Sequence, residues 1–297
     1  MSMEIFKRVL EDYTEMGGGT FSLHPVMGDI FLDKKLPERI ELLNEYELIG
    51  PTYFVTNGVY SDRFDDQTLK VILKHAHFRV SVYGLDRDEH SEITEVDDYD
   101  RFVASLRRLI RLKMEIGRKE VTQLSITLKK PRSKDEVAQW MEDNLDPDML
   151  SSVKWGVQPP LSNFGGGVAE DPLTELGLNM TKRRSNSTSC FKNLNPRVLS
   201  NGDVTACPCA DYDGDPGLHL GNIGSQTLLE MYNSEKLTNL LGAMSRESLP
   251  EVCRECTFHT PISSLDFDRS LQRKFSFTVE KFGQRSGNAF DYFGTTE

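Results

Sequence analysis

The sequence predicts an α/β fold, a partial (β/α) TIM-like barrel lacking its first strand, followed by a small cysteine-rich α+β domain. Two observations carry this. Helix-period and strand-like stretches alternate five times within residues 1–160, and the series opens on a helix where a βα unit normally opens on a strand. All five cysteines lie between Cys190 and Cys256.

The first fifteen residues place Ile5, Phe6, Val9, Leu10 and Tyr13 at helical spacing, and Gly17-Gly18-Gly19 ends that helix. Thr20 to Leu23 then reads as a short strand. A second helix starts near Pro37, a residue suited to a first turn, and carries Ile40, Leu42 and Leu43. Thr52 to Thr56 is a β-rich strand closed by Asn57-Gly58. A helix with Leu69, Ile72 and Leu73 precedes a strand from Phe78 to Tyr83, which stops at Gly84. From about Asp98 a long helix lines up Phe102, Val103, Leu106, Leu109 and Ile110 and ends at Gly117. The next strand is Val121 to Leu128. Ser133 and Glu136 make a capping box for the following helix, and Val153 to Val157 is the last strand.

From Leu161 the texture changes to Gly165-Gly166-Gly167 and a polar run up to Ser189. The expected organisation is a partial barrel over 1–160, a linker over 161–189, a cysteine-rich domain over 190–262 with a helix from Leu228 to Leu241, and a polar tail over 263–297. The tail has no assignable role.

A chain of 297 residues with 38% hydrophobic residues can bury a sizeable core. Its net charge of −11 argues against a nucleic-acid groove or an anionic membrane surface as partner. The basic runs Arg107-Arg108 to Arg111 and Lys182-Arg183-Arg184 read as solvated surface. No apolar run approaches ~18 residues and no signal peptide opens the chain, so a cytoplasmic protein is expected. In that compartment thiols stay reduced, which favours a metal site over disulfides. The sequons at Asn179 and Asn186 then have no consequence.

The cysteines come from three places: Cys190, the pair Cys207-Pro208-Cys209, and Cys253-Arg254-Glu255-Cys256. Asn201-Gly202-Asp203 followed by Val204-Thr205-Ala206 fits a hairpin that delivers Cys207 from its second strand. Converging soft thiolates suit an iron–sulfur cluster or zinc. Disulfides and inert core thiols are the bland alternatives, and scattered core thiols would not segregate into one stretch. Four ligands complete one site, and Cys190, Cys207, Cys253 and Cys256 are the favoured set. Cys209 is then the extra residue or a substitute.

Several stretches, in order, resemble the radical S-adenosylmethionine (SAM) enzymes with a C-terminal SPASM or twitch domain. Met27-Gly28-Asp29-Ile30-Phe31-Leu32-Asp33-Lys34-Lys35-Leu36 is similar to the family's Gly-Gly-Glu-Pro-Leu-Leu-His-Pro-Asp-Leu stretch. Thr56-Asn57-Gly58 resembles the close of its third strand, and Ser81 to Asp86 the close of its fourth. Asn201 to Cys207, Leu220-Gly221-Asn222-Ile223, Leu229 to Ser234 and the final Cys253/Cys256 pair follow the SPASM order. The resemblance spans roughly residues 1 to 262. Two departures stand out. The three-cysteine loop that holds the family's catalytic [4Fe–4S] cluster is not in these residues, and it belongs upstream of the opening helix. Asp29 stands where the family has Glu.

The resemblance implies that Gly28 lets the backbone approach SAM, that Asp29 accepts from its amino group, and that Asn57 and Ser81 line its pocket. It implies an auxiliary [4Fe–4S] cluster on Cys190, Cys207, Cys253 and Cys256, with zinc as the alternative metal. The implied activity is radical-based modification of a peptide or small-molecule substrate, with a reductant such as flavodoxin or ferredoxin. Truncation or a late start codon would account for the missing loop; a non-catalytic iron–sulfur or zinc protein derived from the family is the alternative. His219 and His259 could replace a cysteine. Asp211, Asp213 and Asp215 are reminiscent of a calcium loop, but Pro216 and Asn222 occupy the positions of its glycine and glutamate. The missing strand further predicts an open barrel with an unpaired edge at Thr20 to Leu23, prone to aggregation.

Overall fold

The computed structural model describes residues 1–25, 28–117, 122–126, 132–157, 162–168, 180–181, 190–208, 214–245 and 248–260. Met27, Lys182 to Arg184, Cys209, Asp211, Asp213 and the expected tail over 263–297 lie outside them.

Five parallel strands form one sheet in the order β1 (Gly19–Ser22), β2 (Ile49–Thr56), β3 (Ala76–Val82), β4 (Thr122–Ile126) and β5 (Val153–Val157). Spatial order equals chain order because each crossover helix returns the chain beside the strand it left. Every expected strand is present within three residues of its expected ends, the largest difference being β2, which begins at Ile49 instead of Thr52. The connecting helices are α1 (Met3–Glu15), α2 (Leu36–Asn44), α3 (Asp66–His75), α4 (Arg87–Thr94), α5 (Tyr99–Glu115), α6 (Lys134–Asn144) and α7 (Pro147–Ser152). The capping box at Ser133 and Glu136 forms as the spacing predicts. Among the described residues β1 pairs only with β2, so it is the sheet's edge.

Strand alternation divides the sheet. Phe54, Phe78, Val80 and Val82 are buried under the helices with Leu69, Ile72, Phe102, Leu106 and Leu109. Tyr53, Val55, His77 and Arg79 alternate with them and are only half-buried, so they belong to the opposite face.

Helices α4 and α7 were not expected, and one expected helix is divided. The short α4 has no apolar stripe; its buried residues are Glu89 and His90, so periodicity could not announce it. The helix expected from Leu228 to Leu241 is two, α8 (Leu228–Tyr232) and α9 (Glu235–Ser245). Asn233 leaves helical geometry, and the Ser234 hydroxyl accepts from Leu237 N–H at 3.3 Å to start the second. The arginines of α5 are more than solvated surface. Arg108 reaches Asp66 at 2.7 Å and the Phe64 carbonyl at 2.8 Å, and Arg107 reaches the Asn144 carbonyl at 2.5 Å.

The cysteine-rich part holds a three-stranded antiparallel sheet, β6 (Arg197–Val198), β7 (Asp203–Thr205) and β8 (His219–Asn222), and a short helix α10 (Glu251–Glu255). The hairpin was legible; the third strand was not. Helix α1 serves two cores. Phe6 and Leu10 pack with the sheet, while Val9, with Ile5 and Tyr13 against it, packs with Val204, Leu220, Leu228 and Met231. Buried Asp12 accepts the Leu228 N–H at 2.8 Å, satisfying an orphan donor at the start of α8.

Candidate functional site

Four thiols line one small cavity. Cys190 precedes a 3-10 turn at Phe191–Leu194, Cys207 follows β7, Cys253 lies on α10 and Cys256 directly follows that helix. All four are buried or half-buried thiols. Backbone donors aim at the sulfurs: Phe258 N–H reaches Cys256 Sγ at 3.3 Å, and Thr260 N–H reaches Cys190 Sγ at 3.5 Å. Asn193, buried in the cavity wall, donates to the Ala206 carbonyl at 3.2 Å, which ties the Cys190 turn to the residue before Cys207. At the rim, the Lys192 ammonium lies 4.8 Å above the Phe258 ring.

Burial pushes the Cys190 thiol up and the Cys256 thiol up to about 11, while the Phe258 N–H opposes the rise at Cys256. Cys253 is raised further by burial and by the other three cysteines. Buried and close to one another, the Cys190, Cys253 and Cys256 thiols therefore resist ionising unless a cationic centre sits among them. A bound metal supplies that charge and deprotonates its thiols outright. The donor set therefore fits a thiolate-bound metal centre. Among the described residues no three His, Cys, Asp or Glu side chains close on a single-ion site; the thiols surround a cavity instead. His259 is buried in the same wall, whereas His219 faces Asp203 at 3.4 Å on the outer sheet. Asp215 accepts from Gly217 N–H at 2.6 Å, a local turn contact.

The residues implied by resemblance to contact SAM lie at the C-terminal ends of β1 to β3, where barrel sites are built. Gly28 has φ +90°, a conformation that favours glycine. Asp29 is 8% exposed, and both its oxygens are engaged. Oδ1 accepts from Phe31 N–H at 2.9 Å; Oδ2 accepts from the Thr56 hydroxyl at 2.5 Å and from Asn57 N–H at 3.0 Å. The carboxylate thus caps the 3-10 turn Ile30–Leu32 and clips it to the end of β2. Asn57 Oδ1 accepts from Val59 N–H at 3.1 Å. The pairing of Thr56 with Val80 sets Asn57 beside Ser81, which is buried and hydrogen-bonds the Tyr83 phenol.

Four further groups, Tyr83, His24, Arg79 and Arg197, come together near this end of the sheet. Burial and the nearby Asp29 charge raise the Tyr83 phenol. Crowding, then Arg197 and Arg79, lower the His24 imidazole, with Asp29 opposing. Arg79 and Tyr83 were findable in sequence, since positions 79, 81 and 83 alternate with apolar 78, 80 and 82. His24 and Arg197 carried no local signal.

Residues 190–257 match the family model of the SPASM iron–sulfur cluster-binding domain. The C-terminal module is a SPASM domain. Over 58 residues the chain is 50% identical to a serine-type anaerobic sulfatase-maturating enzyme of Bacteroides thetaiotaomicron. That match covers 20% of this chain and only 13% of that enzyme's length. In overall shape the chain is similar to BtrN in complex with AdoMet and 2-DOIA, with a TM-score of 0.51 and 17% identity, covering 86% of this chain and 80% of that one. It is also similar to anSMEcpe with bound AdoMet, with a TM-score of 0.50 and 15% identity, covering 95% and 88%. The SPASM domain is thus carried on a parallel α/β fold similar to that of these two AdoMet-bound proteins. Among the described residues no helix is long and apolar enough to cross a membrane.

Proposed function

We propose that the chain binds an auxiliary [4Fe–4S] cluster through Cys190, Cys207, Cys253 and Cys256, and SAM at the strand ends around Gly28, Asp29, Asn57 and Ser81, as part of a radical SAM/SPASM protein. The observation that carries this is the convergence of four thiols on one cavity inside the segment that matches the SPASM domain. A wall of sulfur donors around a cavity, with backbone N–H groups aimed at two of them, suits a polynuclear cluster better than a single zinc ion.

Gly28, Asp29, Asn57 and Ser81 would hold SAM at the strand ends, where it would supply hydrogen-abstracting radical chemistry. The family's three-cysteine loop for the catalytic cluster is not among the 297 residues, and that chemistry requires it. What this chain's own residues contribute is placement. Asp29 holds two loops at the mouth of the sheet, and Gly28 leaves the backbone open to a close approach. Ser81 and Asn57 offer polar contacts beside each other. The half-buried face bearing Tyr53, His77 and Arg79 is the surface on which a substrate would rest. The sulfatase-maturating relative favours a peptide or protein substrate, and a small acidic electron carrier of the flavodoxin or ferredoxin kind is the proposed reductant.

Anaerobic reconstitution with iron and sulfide tests the cluster assignment. About four irons per chain, a reducible paramagnetic signal, and loss of both in a Cys253→Ala/Cys256→Ala variant are expected. Stoichiometric zinc with no retained iron overturns it.

A further inference from the structure

We propose that Asn163, outside the segment that matches the SPASM domain, is the positioning residue for the Cys256 thiolate; this rests on the cluster assignment above. In the stretch expected as a linker, residues 162–168 fold against residues 255–257. The Asn163 carboxamide brackets Cys256. Its Nδ2 donates to the Glu255 carbonyl at 2.5 Å, and its Oδ1 accepts from Thr257 N–H at 2.9 Å and from the Thr257 hydroxyl at 3.1 Å. The Asn163 N–H donates to the same hydroxyl at 2.9 Å. Four hydrogen bonds thus join segments 92 to 94 residues apart, around a side chain 9% exposed.

The geometry makes this a device for one cysteine. A primary carboxamide carries a donor and an acceptor in one plane, so it can pair with the carbonyl before a residue and the N–H after it. Holding both peptide groups fixes the backbone of Cys256 and with it the direction of Sγ into the cavity. The clamp also sets the start of the turn whose Phe258 N–H donates to that sulfur. Gly166 and Val168 N–H both return to the Asn163 carbonyl, which pins the clamp's own base. The close approach is tight: a Cβ on Gly166 would lie 3.0 Å from Glu255 Cβ. In sequence, five residues separate Asn163 from the end of β5. Groups that orient a metal ligand in this way are worth 10- to 100-fold in retention.

The test uses the full chain, reconstituted anaerobically, in four forms: wild type, Asn163→Ala, Asn163→Asp and Thr257→Ser. Iron loss to a chelator, the paramagnetic signal and the midpoint potential are read on each. Asn163→Ala is expected to lose iron about tenfold faster or more and to shift the signal. Asn163→Asp keeps an acceptor for Thr257 but sets a carboxylate against the Glu255 carbonyl, so an intermediate loss with a native circular dichroism spectrum is expected. Thr257→Ser keeps the hydroxyl and should behave as wild type. Wild-type kinetics, signal and potential in both Asn163 variants would overturn the proposal while leaving the cluster assignment standing. A wild-type chain that holds no iron overturns both.

Discussion

Asp29 stands where resemblance implies a ligand contact, yet the structure uses its carboxylate to hold two loops together. Asp29→Asn separates those roles. The carboxylate receives three donors on two oxygens, from Phe31, Thr56 and Asn57. Asparagine has one oxygen, so it can serve either Phe31 or the Thr56 and Asn57 pair; on the other side its NH2 confronts an N–H. Hydrogen bonds to a charged group contribute about 1.5–3 kcal/mol each, and a buried donor left without a partner costs about 1–3 kcal/mol. With the surviving bonds weakened to neutral ones, the net loss is about 2–4 kcal/mol. At 2–4 °C per kcal/mol for a domain of this size, the melting temperature should fall by roughly 4–16 °C. Thermal unfolding followed by circular dichroism, with and without SAM, is the assay. An Asp29→Asn variant that melts with the wild type refutes the loop-holding role. If that variant has also lost the shift SAM produces in the wild type, the carboxylate is a ligand contact alone.

Two other outcomes follow from buried groups. Lys113 is 3% exposed, and its ammonium donates to the Leu73 and Ala76 carbonyls at 2.5 and 3.1 Å, at the end of α3. Lys113→Met keeps the apolar stem but strips both carbonyls, and a drop of about 1–3 kcal/mol in denaturant-derived stability is expected; an unchanged midpoint at unchanged slope counts against the cap. In the metal-free chain the Cys256 thiol is pushed up to about 11 by burial. A raised pKa means its contribution to stability is complete below the ordinary thiol range and is lost as pH rises through about 11. Alkylation of native Cys256, read by peptide mass spectrometry, should therefore stay slow near neutrality and accelerate toward that pH. Rapid native labelling near neutrality would contradict the burial argument.

Much of this protein is written in short-range pattern. Apolar residues at helical spacing placed α1, α2, α3 and α5, alternation placed the five strands, and the Ser133 and Glu136 pair announced α6, because each of these signals lies within a dozen residues. The four cysteines were legible as a set because thiols serve few purposes and all lie in one stretch. The small helix α4 escaped because it buries Glu89 and His90 instead of an apolar stripe. The break at Asn233 escaped because a single hydroxyl, that of Ser234, decides it. What only the tertiary structure decided is which distant groups meet. It made α1 a bridge between two cores through Phe6 on one side and Val9 on the other. It turned Asp29 into a clip between loops 28 residues apart, and it brought Asn163 from an apparent linker to both sides of Cys256. A polar side chain at a loop position looks the same in sequence whether it faces water or a peptide group some 90 residues away, because the partner is chosen by packing rather than by neighbours in the chain.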